Sequence, residues 1–129
     1  MNNQDHIRVL SVGDHPVLNE GIAALISNQA DMRLIAQAHS GSDAIEKFRG
    51  YQPDVTLMDL CLPDMSGIDT MMAIRVEFPK ARIIMLTTFE GDVEIQRALG
   101  AGACGYVSKS VPPKNLVAAI RQVHAGTFW

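Results

Sequence analysis

The chain has 129 residues, of which 47% are apolar and 19% charged, with 10 glycines and 6 prolines. That is one folded domain with a sizeable core, which excludes a disordered segment. Eleven basic residues against fourteen acidic leave a net charge of −3, a surface that phosphate backbones and anionic lipid repel, so no DNA or membrane binding is expected of this chain itself. No apolar run approaches the roughly 20 residues of a membrane span. Met1 to His6 carries no basic region followed by an apolar stretch, and two cysteines allow one disulfide at most. A cytoplasmic location is expected.

Short apolar runs alternate with segments of helical period. After a tail at 1–6, Ile7 to Val12 reads as a strand closed by Gly13, and Pro16 suits the first turn of a helix whose apolar stripe is Leu18, Ile22, Leu25 and Ile26. Met32 to His39 is a second strand. Ser42 is the predicted N-cap of a short helix carrying Ala44, Ile45 and Phe48, which Gly50 ends. Val55 to Met58 is apolar enough for a central parallel strand. Ser66 and Asp69 then introduce a helix with Ile68, Met71, Met72 and Ile74, shut off by Pro79. Arg82 to Leu86 is the fourth strand, Val93 to Leu99 its helix, and Gly100 to Gly102 the break. Gly105 to Ser108 is the fifth strand, and Pro113 to Ala125 the last helix, turning Leu116, Val117, Ile120 and Val123 to the core. Strand–helix units at this length predict an α/β fold with an open, doubly wound parallel sheet, since a closed eight-unit barrel needs about twice the residues.

Ligands of such sheets bind beyond the carboxyl ends of the strands. Gly13-Asp14 follows the first strand, Asp59 the third, Thr87-Thr88 the fourth and Lys109 the fifth. Singly, each has an ordinary explanation: a turn-forming Asp, a strand Thr, a solvated Lys. Together they place two carboxylates, a hydroxyl and an ammonium in one crevice. That set suits phosphoryl transfer to a carboxylate, with Asp59 as nucleophile, Asp14 as ligand of a hard cation such as Mg²⁺, and Lys109 and Thr87 on the phosphoryl oxygens. Weaker signals get plainer readings. His15, with no Cys or His partner at zinc spacing, is expected to pack or hydrogen-bond at the start of the first helix. Met58, Met71, Met72 and Met85 are expected to fill core, Cys61 to be a redox spectator, and Gly100 to Gly105 to be a turn without a phosphate-loop pattern.

Leu10-Ser-Val-Gly-Asp14-His-Pro16, Met58-Asp-Leu-Cys-Leu-Pro63-Asp-Met-Ser-Gly67, Leu86-Thr-Thr88 and Gly105-Tyr-Val-Ser-Lys109 resemble the receiver domain of two-component response regulators. The Asp-His-Pro step and the ending Leu116-Val-Ala-Ala-Ile-Arg-Gln-Val123 are similar to the subfamily whose receivers precede a LuxR-type helix-turn-helix domain. The resemblance spans 7–125 and implies a flavodoxin-like (βα)5 fold with strand order 2-1-3-4-5. It leaves 126–129 as the start of a linker, with a DNA-binding output domain expected beyond residue 129. It further implies Asp59 as phosphoacceptor; Asp14, Asp59 and the backbone carbonyl of Cys61 as Mg²⁺ ligands; and Thr87, Thr88 and Lys109 on the phosphoryl group. Thr87 and Tyr106 would be the switch pair, and Lys109–Ser110 a cis peptide. The implied partners are a sensor histidine kinase, a second copy of the chain on phosphorylation, and DNA only through the output domain.

One departure stands out. The family has two adjacent acids after the first strand, where this chain has Gly13-Asp14, so Mg²⁺ binding is expected to be weakened but retained. Cys61 and Phe89, two residues beyond the phosphoacceptor and the threonine, are poor guides for an attacking water, and slow autodephosphorylation is expected. Three alternatives differ in class: a degenerate receiver signalling without phosphate; a phosphatase with an Asp nucleophile, disfavoured because its second acid would stand at Cys61; and a flavodoxin-like cofactor binder, disfavoured by the negative charge of Asp14 in the first loop.

Overall fold

A computed structural model describes residues 6–87, 92–109 and 112–129. Strands and helices alternate as β1 (Ile7–Val12), α1 (Pro16–Ser27), β2 (Met32–Ala38), α2 (Gly41–Tyr51), β3 (Val55–Asp59), α3 (Gly67–Glu77), β4 (Ile83–Thr87), α4 (Asp92–Gly100), β5 (Gly105–Ser108) and α5 (Pro113–His124). The strands pair in parallel in the order β2-β1-β3-β4-β5, the flavodoxin-like topology. β3 and β4 are buried along their whole length because helices cover both faces of the sheet, which is why their sequences are continuously apolar rather than alternating. Consecutive residues of one strand therefore serve opposite cores. Val9, Leu57, Ile84 and Val107 pack with Ile22 and Ile26 of α1 and Leu116 and Ile120 of α5. Leu10, Met58 and Met85 pack with Phe48 of α2, Met71 of α3 and Ala98 of α4. The chain steps from β1 outward to β2 and then returns to β3 on the other flank of β1, so the crevice at the carboxyl ends opens between β1 and β3.

Several boundaries differ from the sequence reading. Ser40, not Ser42, is the N-cap of α2, its hydroxyl accepting from the Asp43 amide at 3.1 Å. Asp64, on the loop after β3, accepts from the amides of both Gly41 and Ser42, at 2.7 and 3.0 Å, so the helix is anchored two residues earlier than local sequence suggests. It runs one residue past Gly50, because Gln52 takes the left-handed conformation at φ 45 and closes it. β2 ends at Ala38 instead of His39, and β4 lies one residue later, at Ile83–Thr87 instead of 82–86. Ser66 caps α3 as expected, accepting from Asp69 at 3.0 Å, and Phe78 closes that helix before Pro79. Met72 is 49% exposed and does not fill core; its neighbour Met71 does.

The carboxy-terminal residues fold back. The Trp129 amide donates to the Cys104 carbonyl at 3.2 Å and Gln122 holds the Phe128 carbonyl at 2.6 Å. Arg121 of α5 forks onto Asp31, just before β2, at 2.8 and 3.0 Å. That hydrogen-bonded guanidinium holds the Asp31 carboxyl below the ordinary range. No helix among the described residues is long and apolar enough to cross a membrane.

Candidate functional site

Asp59 is the last residue of β3 and only 2% exposed. A carboxylate that deeply placed requires partners. One oxygen, Oδ2, accepts from Lys109 Nζ at 2.8 Å, and the other, Oδ1, from the Cys61 amide at 3.3 Å. Lys109 stands one residue beyond β5, and its own amide donates to the Thr87 carbonyl at 2.7 Å, so β4 fixes the point from which the long side chain crosses to β3. Thr87 ends β4 and is 2% exposed. Asp14 and His15 come from the loop after β1. His15 Nδ1 lies 3.3 Å from Asp14 Oδ1 and 3.5 Å from Asp59 Oδ2. Asp14, Asp59, Thr87 and Lys109 thus stand at four strand ends around one crevice, as their positions in the sequence require.

Three glycines make room for this arrangement. At Gly13 an added Cβ would stand 3.6 Å from Asp59 Oδ2 and 3.3 Å from Asn19 Oδ1, so the position faces the acceptor carboxylate at ordinary contact distance. Gly67 lies directly beneath it, where a Cβ would come within 2.1 Å of the Asp59 carbonyl oxygen. The Gly67 amide donates to the Leu60 carbonyl at 2.7 Å, and Cys61 and Ser66 form a bridge above. Gly41 gives way to Met65 of the same loop, whose Cγ would be 2.3 Å from a Cβ there. Together with the Asp64 anchor on α2, these contacts define the loop that presents Cys61.

Sequence reasoning overlooked the roles of three contributors, Asn19, Asp64 and Gly67. Asn19, buried, donates to the Gly13 carbonyl at 2.9 Å and fixes the β1–α1 loop. Asp64 and Gly67 shape the loop after β3. His15, expected to pack or hydrogen-bond at the helix start, is the N-cap residue of α1; it makes no side-chain cap hydrogen bond, and its Nδ1 lies beside the two acids. The Cys61 thiol is exposed and free, and Tyr106 is half-buried against the core shared with α4. Thr88, Phe89 and the Lys109–Ser110 peptide lie outside the described residues.

The donors suit a hard divalent cation: Asp14 and Asp59 offer carboxylate oxygens, and no larger cage is needed by an ion that keeps most of its waters. Gly13→Asp would point a further carboxylate at the same space. We expect Mg²⁺ to bind that variant about tenfold more tightly, equivalent to ~1.4 kcal/mol, by titration calorimetry. An unchanged affinity would mean that position 13 does not limit the site.

The response regulator receiver domain family model matches residues 9–121. Response regulator protein VraR of Staphylococcus aureus is 37% identical over 120 residues, 93% of this chain and 57% of that protein; the chain therefore spans little more than half the length of such relatives. The crystal structure of a LuxR-family two-component response regulator from Aurantimonas sp. SI85-9A1 superposes with a TM-score of 0.92 at 36% identity, covering 95% of this chain and 88% of the other. The response regulator domain of Thermotoga maritima CheB superposes with a TM-score of 0.86 at 30% identity, covering 93% and 97%.

Proposed function

This chain belongs to the response regulator receiver domain family, and on that premise we propose that it is a phosphorylation switch that takes a phosphoryl group from a sensor histidine kinase onto Asp59. The observation that carries the reading is the buried Asp59 carboxylate, held at 2.8 Å by Lys109 at the one place where β1, β3, β4 and β5 converge. In the transfer an Asp59 carboxylate oxygen attacks the phosphorus of phosphohistidine. The P–N bond breaks, its electron pair leaves with the imidazole, and a P–O bond forms to give the mixed anhydride. Lys109 meets the charge spread over the phosphoryl oxygens, and Thr87 offers its hydroxyl from the end of β4. Mg²⁺, held by Asp14, Asp59 and the Cys61 carbonyl, would neutralise the anions crowded there. Movement of Thr87 toward the phosphoryl group and a turn of Tyr106 would shift the balance between two packings of the α4–β5–α5 face. A second copy of the chain, or a DNA-binding output domain beyond residue 129, reads that change. On this reading the chain is no turnover enzyme.

The test is incubation with acetyl phosphate across a Mg²⁺ series, read by intact mass. A single Mg²⁺-dependent phosphoryl adduct, absent from Asp59→Asn, is expected. No adduct at any Mg²⁺ concentration would favour a receiver that signals through protein contacts alone, with Gly13 as its cause. A second expectation concerns lifetime. Residue 89 is an apolar Phe and residue 61 an exposed Cys, and neither side-chain type is a hydrogen-bonding guide for water attacking the phosphorus. The adduct should decay over many minutes after acetyl phosphate is removed, and decay within seconds would contradict this.

A further inference from the structure

We propose that His15 is a nitrogen ligand of the pocket cation, so that the site prefers a divalent ion that accepts imidazole, of the Mn²⁺, Co²⁺ or Zn²⁺ kind, to Mg²⁺. The proposal rests on the reading above, shares Asp14 and Asp59 with it, and adds a ligand that changes which divalent ion the pocket binds most tightly. Ligand atoms of Asp14, His15 and Asp59 lie within 4.8 Å of one another. The two distances from His15 Nδ1, 3.3 and 3.5 Å, match the edges of a coordination tetrahedron with metal–ligand bonds of about 2.0–2.2 Å, which measure roughly 3.3–3.6 Å. Asp59 Oδ2 also accepts from Lys109, but a carboxylate oxygen has two lone pairs and can serve both.

Two further features favour nitrogen over a third carboxylate. Gly13 puts no side chain on the Asp59 side of the loop, and the space where its Cβ would stand, 3.6 Å from Asp59 Oδ2, stays open. Pro16 then starts α1 immediately after His15, and its fixed φ holds the backbone from which the imidazole reaches inward. A set of two carboxylates and one imidazole ranks divalent ions by the order Mn²⁺ < Co²⁺ < Cu²⁺ > Zn²⁺, whereas Mg²⁺ gains little from a nitrogen donor. The competing explanation is an imidazolium that donates to both carboxylates; such a group would exclude a cation from the pocket rather than bind it.

Calorimetric titration with Co²⁺ and with Mg²⁺, alongside the visible absorption of bound Co²⁺, separates these. In the chain as it stands, Co²⁺ should bind at least tenfold more tightly than Mg²⁺. His15→Ala should weaken Co²⁺ about tenfold and alter its spectrum, while changing Mg²⁺ affinity by less than about twofold. His15 is 62% exposed, so both His15→Ala and His15→Gln should keep the fold, which thermal melting checks. Unchanged Co²⁺ affinity in both variants would overturn the proposal, as would equal gains for both ions, the mark of a competing imidazolium. The acceptor reading fails differently: no phosphoryl adduct with either ion, whatever His15 does to Co²⁺.

Discussion

Gly67→Ala should destabilise the domain by about 3 kcal/mol and abolish most phosphoryl acceptance. Its Cβ would meet the Asp59 carbonyl oxygen at 2.1 Å, the Asp59 carbonyl carbon at 2.9 Å and Leu60 Cα at 3.0 Å. All three are backbone atoms, so no rotamer change relieves the contact. Either α3 backs away from the sheet, losing the packing of Ile68 and Met71, or the end of β3 moves and carries the Asp59 carboxylate away from Lys109. Overpacking that cannot relax costs 1–3 kcal/mol and sometimes more, and this position lies at the upper end because both movable partners belong to the core. Gly50→Ala is the control. Nothing lies within 4 Å of a Cβ there, and within α2 the substitution should stabilise by about 0.5–1 kcal/mol. Urea denaturation measures both. Wild-type stability and adduct formation in Gly67→Ala would contradict the geometry.

Lys109→Met should cost about 3 kcal/mol, because it strands a carboxylate whose side chain is 3% exposed without its 2.8 Å cation. Breaking a buried pair from one side typically costs 3–5 kcal/mol, and the lower end applies because the exposed Asp14–His15 side admits water. Asp59→Asn should cost much less, since it leaves no buried charge stranded and its single carbonyl oxygen can still accept from Lys109, giving up only the 3.3 Å bond from the Cys61 amide. The double variant should recover at least 1 kcal/mol of the Lys109→Met loss, the coupling expected of side chains in direct contact. Additive effects in that cycle would mean that the pair is not the main partner of the buried carboxylate. Phosphoryl acceptance should also fall in Lys109→Met, read as adduct per hour under fixed acetyl phosphate.

Much of this architecture was legible in the residues. The continuous apolar runs Val55–Met58 and Ile83–Leu86 could be satisfied only by a sheet covered on both faces, and once the sheet is doubly wound, Asp14, Asp59, Thr87 and Lys109 converge by position alone. What escaped notice depends on contacts distant in the chain. Ser40 and Ser42 are equivalent as caps until Asp64, 23 residues on, claims the Gly41 and Ser42 amides. Gly67 looks like an ordinary helix start until Asp59 lies against it. His15 offers no spacing pattern for a metal, and only the turn into α1 brings its Nδ1 beside a carboxylate 44 positions later. The register of β4 slipped by one residue because Arg82, with its carbonyl accepting from Thr56 at 2.9 Å, behaves like strand at one end only.

The central claim is that the buried Asp59, and not the more accessible Asp14, carries the phosphoryl group. Side-chain exposure is 3% for Asp59 and 40% for Asp14, so accessibility alone favours Asp14 and the two assignments are cleanly separable. Reduction of the acetyl phosphate-treated protein with borohydride converts an aspartyl phosphate to homoserine, and tandem mass spectrometry of the digest locates it. Homoserine at position 59 alone, dependent on a divalent cation, is the predicted result. Homoserine at position 14, or adduct without any acyl phosphate, would contradict the account.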